Sequence, residues 1–263
     1  MNQKTSETLK KLLREYYTDY YQGQLNLPDY QIRVRHRLNE NTAASYYSSQ
    51  KKIKLITQLL NFKFDKSKKI LVVGAGTGEE MAQLARTGCR VYGLEPNDKA
   101  LVILKLRADL GQIDGRHLTQ AVAEKIPYPN DCFDLVYCWQ VLEHVTNVAQ
   151  SINEMIRVTK KNGRIFIGCP DYRQIVEPHY KLYLPLFLPK FINKLILKAR
   201  GRNTEFFDTL QLVNAKKIKS ILRQNHILAM QLINPKKKTG LTDWMRNHWE
   251  IEPNQYWLIT KTD

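Results

Sequence analysis

Apolar positions recur with two different periods along this chain, and the change falls near residue 65. Helical spacing marks residues 6–21, whose apolar and aromatic positions are Leu9, Leu12, Leu13, Tyr16, Tyr17 and Tyr20. A break at Gly23 and Pro28 precedes a second helical stretch over residues 30–60. The pattern therefore predicts an N-terminal helical cap, residues 1–64, ahead of a different kind of domain.

From residue 68 onward, short apolar runs alternate with helical patterns. The predicted strands are 70–73, 90–94, 117–122, 133–138, 164–169, 227–233 and 255–262, and the predicted helices are 79–86, 98–110, 145–159 and 214–224. Apolar strands that alternate with helices indicate an α/β fold with a parallel sheet covered on both faces. Residues 171–213, rich in proline and aromatic residues, interrupt this order and are interpreted as an insert.

Charge and cysteine content narrow the classes of protein that fit. Lysine and arginine total 41 against 25 acidic residues, a net charge of +16. Such a surface either attracts phosphate groups or consists of solvated lysines on helix faces, and both readings stay open. The four cysteines form no CxxC pair, which predicts reduced thiols that are neither disulfides nor zinc ligands. The first residues lack a signal-peptide pattern and no apolar run has the length of a membrane span, so we expect a cytoplasmic protein.

A buried strand runs directly into a glycine-rich turn at Gly74, Gly76 and Gly78. Glycines at such a turn let a ligand approach the backbone, and the helix that follows offers free N–H groups. A dinucleotide fingerprint has its third glycine where this chain has Glu79, and a carboxylate there opposes a pyrophosphate. The spacing favours a ligand without phosphate that carries a sulfonium and an α-amino group.

Glu95 stands at the end of the next predicted strand. A carboxylate in that position accepts hydrogen bonds from both ribose hydroxyls. NAD-binding proteins share this arrangement, so Glu95 predicts a ribose without choosing the cofactor.

Over about residues 68–170 the sequence resembles the class I S-adenosyl-L-methionine (SAM)-dependent methyltransferases, nearest the ubiquinone and menaquinone biosynthesis branch. The resemblance rests on four blocks: LVVGAGTGEE (71–80), YGLEPN (92–97), AEKIPYPNDCFDLVYCWQVLEHV (123–145) and NGRIFIGCP (162–170). It implies a Rossmann-like sheet of seven strands, mostly parallel with an antiparallel last strand, and helices on both faces. Residues 65–263 would form the SAM-binding domain, with the insert after the fifth strand.

The resemblance also implies a set of SAM-binding residues. They are Gly74, Ala75, Gly76, Gly78, Glu95, Pro96, Ala123, Glu124, Cys138 and Trp139. The glycines would line the methionine and ribose moieties, Glu95 would bind the ribose diol, and Pro96 would lie near the adenine.

Farther along, Ala123 would offer its backbone to the adenine edge, with Glu124 beside it. Cys138 and Trp139 would flank the methionine part and the reactive methyl group. One departure stands out: members of the family usually carry an aspartate that contacts the adenine amino group where this chain has Val122.

Two histidines are the candidates for a general base near the transferred methyl group. His144 follows Glu143, and His179 lies in a Glu-Pro-His-Tyr run within the insert. Histidine titrates in the range that suits proton transfer at neutral pH, although a histidine at a helix start often has a structural role. With SAM as the donor, these residues predict transfer to an oxygen of a small-molecule or lipid-linked acceptor.

Residues 181–200 combine an apolar loop with a short basic helix. Lys190, Lys194 and Lys198 repeat every fourth residue, while Phe191, Ile192, Leu195, Ile196 and Ala199 share another face. One interpretation is a lid whose apolar face packs on the domain. The other is a peripheral contact with an anionic membrane, at its inner face.

Two further functions stay open from the sequence. Arg33, Arg35, Arg37 and Lys236–Lys238 fit a nucleic-acid methyltransferase acting on tRNA or rRNA, although no appended RNA-binding module accompanies them. Val122 and Glu79 leave room for a non-catalytic SAM-binding protein.

Overall fold

Nine strands lie within the part of the chain that the computed structural model describes, which is residues 3–41, 57, 62–225, 227, 229–232 and 254–261. They are β1 (Lys69–Val73), β2 (Arg90–Leu94), β3 (Leu118–Thr119), β4 (Phe133–Trp139), β5 (Thr159–Pro170), β6 (Val176–Glu177), β7 (Leu182–Tyr183), β8 (Ala229–Leu232) and β9 (Asn254–Thr260). Seven form one sheet in the order β3-β2-β1-β4-β5-β9-β8, and β6 pairs with β7 as a separate hairpin.

The strand directions match the sequence-based prediction. β1 to β5 run parallel to one another, whereas β9 is antiparallel to both β5 and β8. The mostly parallel, Rossmann-like α/β fold is therefore confirmed.

Eight α-helices are described in the same residues. They are α1 (Gln3–Thr18), α2 (Tyr30–Glu40), α3 (Glu79–Ala85), α4 (Asp98–Asp109), α5 (Val148–Val158), α6 (Lys190–Ala199), α7 (Glu205–Thr209) and α8 (Ala215–Gln224). The side chains of Asn97, Asn147 and Asn214 cap α4, α5 and α8 by accepting a backbone N–H bond. The predicted helix over residues 30–60 is described as far as residue 40, and residues 42–56 and 58–61 lie outside the described part.

Two apolar layers sandwich the sheet. Along β1, Leu71 and Val73 belong to one layer, and Ile70 and Val72 belong to the other. Because successive side chains of a strand point to opposite faces, a strand buried on both sides reads as a continuous apolar run.

A third apolar cluster joins the cap to the insert. Leu13, Tyr17 and Leu25 of the cap share it with Leu197 and Phe207 of the insert. The Tyr17 hydroxyl also lies 2.9 Å from Thr77 Oγ1, in the turn that follows β1. The cap and the insert therefore meet near the carboxyl edge of the sheet, where ligands of open α/β sheets bind.

Some element boundaries differ from the prediction. β3 is two residues long instead of six, since a 3₁₀ turn over Gly115–His117, capped by Asp114, occupies the preceding residues. α5 begins at Val148 instead of residue 145, because Asn147 is its N-cap. Residues Asp19–Gln24 continue α1 as a π-helix that the sequence did not predict.

The apolar face predicted for the helix in the insert is partly wrong. Phe191 and Leu195 are 64% and 63% exposed, whereas Asn193 and Leu197 are buried. The Asn193 amide donates to the carbonyls of Pro185 and Leu188, which turns that side of α6 inward. Part of the apolar face thus points to solvent instead of packing on the domain.

Candidate active site

Three loops leave the sheet side by side at its carboxyl edge. Val73 lies opposite Leu94 on one side and Cys138 on the other. The residues that follow β1, β2 and β4, among them Gly74 and Glu95, are therefore neighbours. The topology brings together predicted residues that are far apart in sequence.

The glycine turn (residues 74–78) adopts backbone angles that favour glycine. Gly74, Gly76 and Gly78 have φ of +67°, +52° and +82°. A Cβ on Gly74 would lie 2.4 Å from Val141, whereas a Cβ on Gly76 would meet no atom within 4 Å. Gly76 therefore borders open space, in which a ligand can approach the backbone.

Glu95 closes this space from the end of β2. Its two carboxylate oxygens accept backbone N–H groups, one from Gly76 at 2.7 Å and one from Asn97 at 2.9 Å. The side chain is buried, and this desolvation raises the pKa of the carboxyl above its ordinary value in spite of the two hydrogen bonds. Each oxygen retains a lone pair, so the arrangement fits a ligand that presents a diol to Glu95 and no phosphate to the turn.

Two side chains that were not predicted as site residues hold Thr77 of the glycine turn in place. The buried Arg107 donates through Nε to the Thr77 carbonyl at 2.6 Å and through Nη1 to Gln112 at 2.7 Å. Tyr17 contacts the Thr77 hydroxyl from the cap. Tyr17 was assigned to a helix face from its spacing, but its contact with the turn depends on the tertiary structure.

The predicted adenine-side residues occupy different environments. Ala75 and Ala123 are buried, Pro96 is exposed, and Val122 is 46% exposed. The Glu124 carboxylate accepts the Thr146 backbone N–H at 2.6 Å, so it anchors the loop before α5. These residues remain predicted contacts of the cofactor, with Glu124 also structural.

Cys138 and Trp139 end β4 on opposite faces of the sheet. Cys138 is fully buried in one apolar layer, where desolvation raises the pKa of its thiol. Trp139 stacks on Tyr256 and Phe166 with ring centroids 5.6 and 6.0 Å apart. Only the backbone of Cys138 is available to line a pocket, because its side chain lies inside the core.

Both predicted histidines belong to one group of side chains, here called the Glu-His cluster: Glu143, His144, Glu177 and His179. The rings of His144 and His179 lie 5.3 Å apart, and Phe206 packs against both. His179 Nδ1 lies 2.7 Å from Glu177 Oε1. The cluster joins the loop after β4 to the β6–β7 hairpin of the insert.

Glu143 is the most unusual member of the cluster. It is fully buried, and neither carboxylate oxygen has a hydrogen-bond partner. Burial raises the pKa of this carboxyl to about 7. Desolvation lowers the pKa of the His144 imidazole, and the neighbouring His179 lowers it further. His144 is therefore neutral at pH 7. The sequence placed Glu143 beside His144 but gave no sign that it is buried and unpaired.

Known proteins of similar sequence match the part of the chain that contains the glycine turn and Glu95. A methyltransferase domain family matches residues 71–167. The demethylmenaquinone methyltransferase of Tropheryma whipplei is 34% identical over 128 residues, 48% of this chain and 52% of the relative. The ubiquinone biosynthesis O-methyltransferase of Aeromonas salmonicida is 24% identical over 146 residues, 55% and 59% of the two chains. This chain thus spans between half and two thirds of the length of these relatives.

The fold comparison covers more of the chain. The YcgJ protein of Bacillus subtilis superposes with a TM-score of 0.57 at 13% identity, over 81% of this chain and 99% of that one. At this identity the likeness establishes the fold. SAM is the methyl donor that such domains and their homologues use. Residues 71–167 thus match a methyltransferase domain family, and the described part of the chain has the Rossmann-like fold of such domains.

Proposed function

We propose that this chain transfers a methyl group from SAM to a hydroxyl oxygen of a small-molecule or lipid-linked acceptor. One observation carries the proposal: the glycine turn and the Glu-His cluster lie at the same edge of the sheet. Val141 connects them, since it contacts Gly74 and stands two residues before Glu143. A donor site and a group of titratable side chains are thereby adjacent.

When bound, SAM supplies a sulfonium methyl group: its S–CH₃ bond breaks as the new O–CH₃ bond forms, and the sulfur keeps the electron pair. The hydroxyl proton must leave, and we assign its acceptance to the histidines. Glu177 holds His179 by a 2.7 Å contact at Nδ1, which fixes the orientation of the ring. The neutral His144 lies beside it as the second candidate.

The proposed acceptor class rests on the apolar character of the insert and on the relatives. Tyr172, Tyr180 and Leu184 bring apolar surface from the insert to the cluster formed with the cap. The matched relatives are named for demethylmenaquinone and for O-methylation in ubiquinone biosynthesis. Because the Aeromonas relative is named for O-methylation, we propose a hydroxylated aromatic acceptor of the quinone type, methylated on oxygen.

A peripheral contact with an anionic membrane forms part of this proposal. Four large apolar side chains of residues 181–200 are 63–83% exposed; they are Tyr183, Phe187, Phe191 and Leu195. Among the described helices, none is long and apolar enough to cross a bilayer. Aromatic side chains on a protein of net charge +16 suit the interface of an anionic bilayer, where a lipid-linked acceptor would reside. The location proposed is cytoplasmic, at the inner face of the membrane.

The lysines of α6 contribute less to this contact than their spacing suggests. Lys190 donates to the carbonyl of Leu210 at 2.9 Å, and Lys194 pairs with Asp208 at 2.5 Å. Membrane contact would therefore depend more on the aromatic side chains than on these two charges.

The nucleic-acid alternative receives less support from the same surface. Arg33 pairs with Asp29 at 2.9 Å, and Arg37 bonds Glu40 at 3.0 Å and the Tyr21 hydroxyl at 3.2 Å. These arginines have structural partners instead of forming a free basic strip. Lys236–Lys238 lie outside the described residues.

Steady-state transfer to a panel of prenylated and unprenylated phenols, followed through S-adenosylhomocysteine formation, tests the proposal. We expect His179→Asn to lower kcat by about 10²–10⁴-fold, the usual contribution of a general base, with SAM affinity unchanged. The matched control is His36→Gln, an exposed histidine paired with Glu40 at 3.5 Å. Equal kcat in wild type and His179→Asn, or transfer to RNA in place of phenols, would overturn the proposal.

A further inference from the structure

We propose that Arg107 is a positioning residue of the donor site, through which the N-terminal cap sets the affinity of the glycine turn for SAM. Arg107 lies on α4 and is 3% exposed. It contacts the turn at Thr77, between Gly76 and Gly78. The inference rests on the SAM-binding part of the proposed function and is independent of the acceptor.

Four residues form a closed ring of hydrogen bonds that joins the cap to the turn. Arg107 Nε donates to the Thr77 carbonyl at 2.6 Å, and Arg107 Nη2 donates to Asn41 Oδ1 at 2.5 Å. Asn41 Nδ2 donates to the Tyr17 hydroxyl at 3.4 Å, and that hydroxyl lies 2.9 Å from Thr77 Oγ1. Tyr17 belongs to α1 and Asn41 is the C-cap of α2, so both of these cap helices contribute.

The peptide unit between Thr77 and Gly78 is fixed at both ends. Its carbonyl accepts from Arg107, and its N–H donates to the Ala75 carbonyl at 2.9 Å. Because a peptide unit is planar, these two bonds set its orientation. The preceding residue is Gly76, which borders the open space of the donor site. The shape of the turn beside that space therefore depends on Arg107.

Gly78 allows α4 to pack directly against the turn. A Cβ on Gly78 would lie 2.6 Å from Leu104 Cδ2 and 3.0 Å from Arg107 Cδ. Packed carbon atoms are about 3.5–4.0 Å apart, so a side chain at this position would push Arg107 away from the Thr77 carbonyl. The third glycine of the turn thus makes room for Arg107, which is a role separate from contact with a ligand.

The partners of Arg107 are unusual for a buried cation. Within the described residues they are the Thr77 carbonyl and the side-chain amides of Asn41 and Gln112, and none of them is a carboxylate. Burial lowers the pKa of the guanidinium, which nearby ionisable groups only partly offset. Burying a charge is costly, and an apolar side chain of similar volume often stabilises a core better. Contact with the glycine turn accounts for an arginine at this position, whereas core stability does not.

Calorimetric titration of the full chain with SAM tests the positioning role. Asn41→Ala removes the link to the cap at a partly exposed position. Arg107→Lys keeps the charge but loses the planar fork that contacts Thr77 and Asn41 together. We expect each variant to bind SAM about 10-fold more weakly, the usual effect of losing hydrogen bonds to a charged group. The double variant should bind about as weakly as Arg107→Lys alone, because both changes break the same ring.

Asn41→Asp separates positioning from general stabilisation. Its carboxylate can accept from both Arg107 and the Tyr17 hydroxyl, so the ring re-forms and SAM affinity should stay close to that of wild type. Asn41→Asp and Asn41→Ala both lose the 2.9 Å bond from Asn41 Nδ2 to the Arg37 carbonyl. That loss lowers the free energy of unfolding in both variants, so a difference in SAM affinity between them reports the ring.

Asn39→Ala and Arg116→Lys are the controls, at exposed positions, and should bind SAM as wild type does. Circular dichroism verifies that each variant is folded, and the pair of Asn41 variants decides the question even where Arg107→Lys fails to fold. Wild-type SAM affinity in Asn41→Ala, or equal losses in Asn41→Ala and Asn41→Asp, would overturn the positioning role and leave the proposed function intact. The expected SAM affinities without methyl transfer to any phenol would support the positioning role and contradict the proposed function.

Discussion

At the end of β2, both oxygens of the Glu95 carboxylate are already hydrogen-bonded to backbone N–H groups, from Gly76 and Asn97. This arrangement fixes the side chain before a ligand arrives. It also links the carboxylate to the glycine turn, so the two predicted parts of the SAM site form one structural unit. Ionised Glu95 can still accept hydrogen bonds from ribose hydroxyls through its remaining lone pairs.

Glu95→Gln should weaken SAM binding by about 1–3 kcal/mol, because charge-assisted hydrogen bonds are lost. Affinity should also depend on pH in wild type. Burial raises the pKa of the free carboxyl above 4.5. Since the ionised form binds the ribose, SAM affinity falls as the pH is lowered through this raised pKa.

Calorimetric titration with SAM between pH 5 and 8 measures both effects, and Asp109→Asn is the control on an exposed residue of α4. The variant Glu95→Gln should lose the acid-dependent part of the affinity. Wild-type affinity in Glu95→Gln would remove Glu95 from the donor site.

Gly76→Val should give a folded protein that does not bind SAM. The added side chain meets no protein atom within 4 Å, so it fills the space left for the ligand. The control is Gly111→Val, which has a similar φ of +67° and equally open surroundings at the end of α4. Backbone strain should cost each variant about 1–2 kcal/mol of stability, yet only Gly76→Val should lose SAM binding in a calorimetric titration. Equal SAM affinity in the two variants would contradict the assignment of the glycine turn to the SAM site.

At the scale of elements, α1 connects the cap to the glycine turn. Tyr17 is buried, and its hydroxyl lies 2.9 Å from Thr77 Oγ1. Tyr17→Phe should lower the free energy of unfolding by about 0.5–1.5 kcal/mol and weaken SAM binding severalfold, because the turn loses one support. Urea denaturation and calorimetry measure the two quantities. Tyr183→Phe, at a 76% exposed position, should change neither; a matching loss there would show that the Tyr17 contact is not specific.

The central strands of the sheet were predictable because strands that are buried on both faces need mostly apolar residues. β1 is buried at four of its five residues, and β4 at five of its seven. The hairpin β6–β7 was not predicted, since each strand has two residues and no apolar alternation marks them. The π-helix after α1 was also missed, because a change of helical hydrogen bonding over Asp19–Gln24 leaves no periodic signal.

The donor side of the site was more predictable than the acceptor side. Gly74 and Gly76 belong to the turn after β1, and Glu95 directly follows β2. Each of these positions is marked by a short local motif in the sequence. His144 and His179 are 35 positions apart in the sequence. Their contact depends on how the insert folds back onto the domain, which no local sequence pattern indicates. The unpaired state of Glu143 is a property of packing, and no local pattern encodes it.

At the scale of the whole molecule, the exposed aromatic residues of the insert predict the membrane contact. Phe187→Ser with Phe191→Ser should reduce co-flotation with anionic vesicles at least tenfold, because two side chains that are 83% and 64% exposed no longer enter the interface. Ile32→Ser is the control, since Ile32 is 71% exposed on α2, outside the insert. Absence of wild-type flotation at low salt, or equal flotation of the double variant, would exclude the insert as the contact.

Transfer of a labelled methyl group distinguishes methylation of a small-molecule or lipid-linked acceptor from methylation of RNA or protein. The full chain is incubated with methyl-labelled SAM and a cell extract, which is then separated into organic, aqueous small-molecule and macromolecular fractions, with Gly76→Val as the inactive reference. We expect label in the organic fraction as a methyl ether, at a level far above that reference. Label confined to RNA or protein, or no label above the reference in any fraction, would contradict the proposed function.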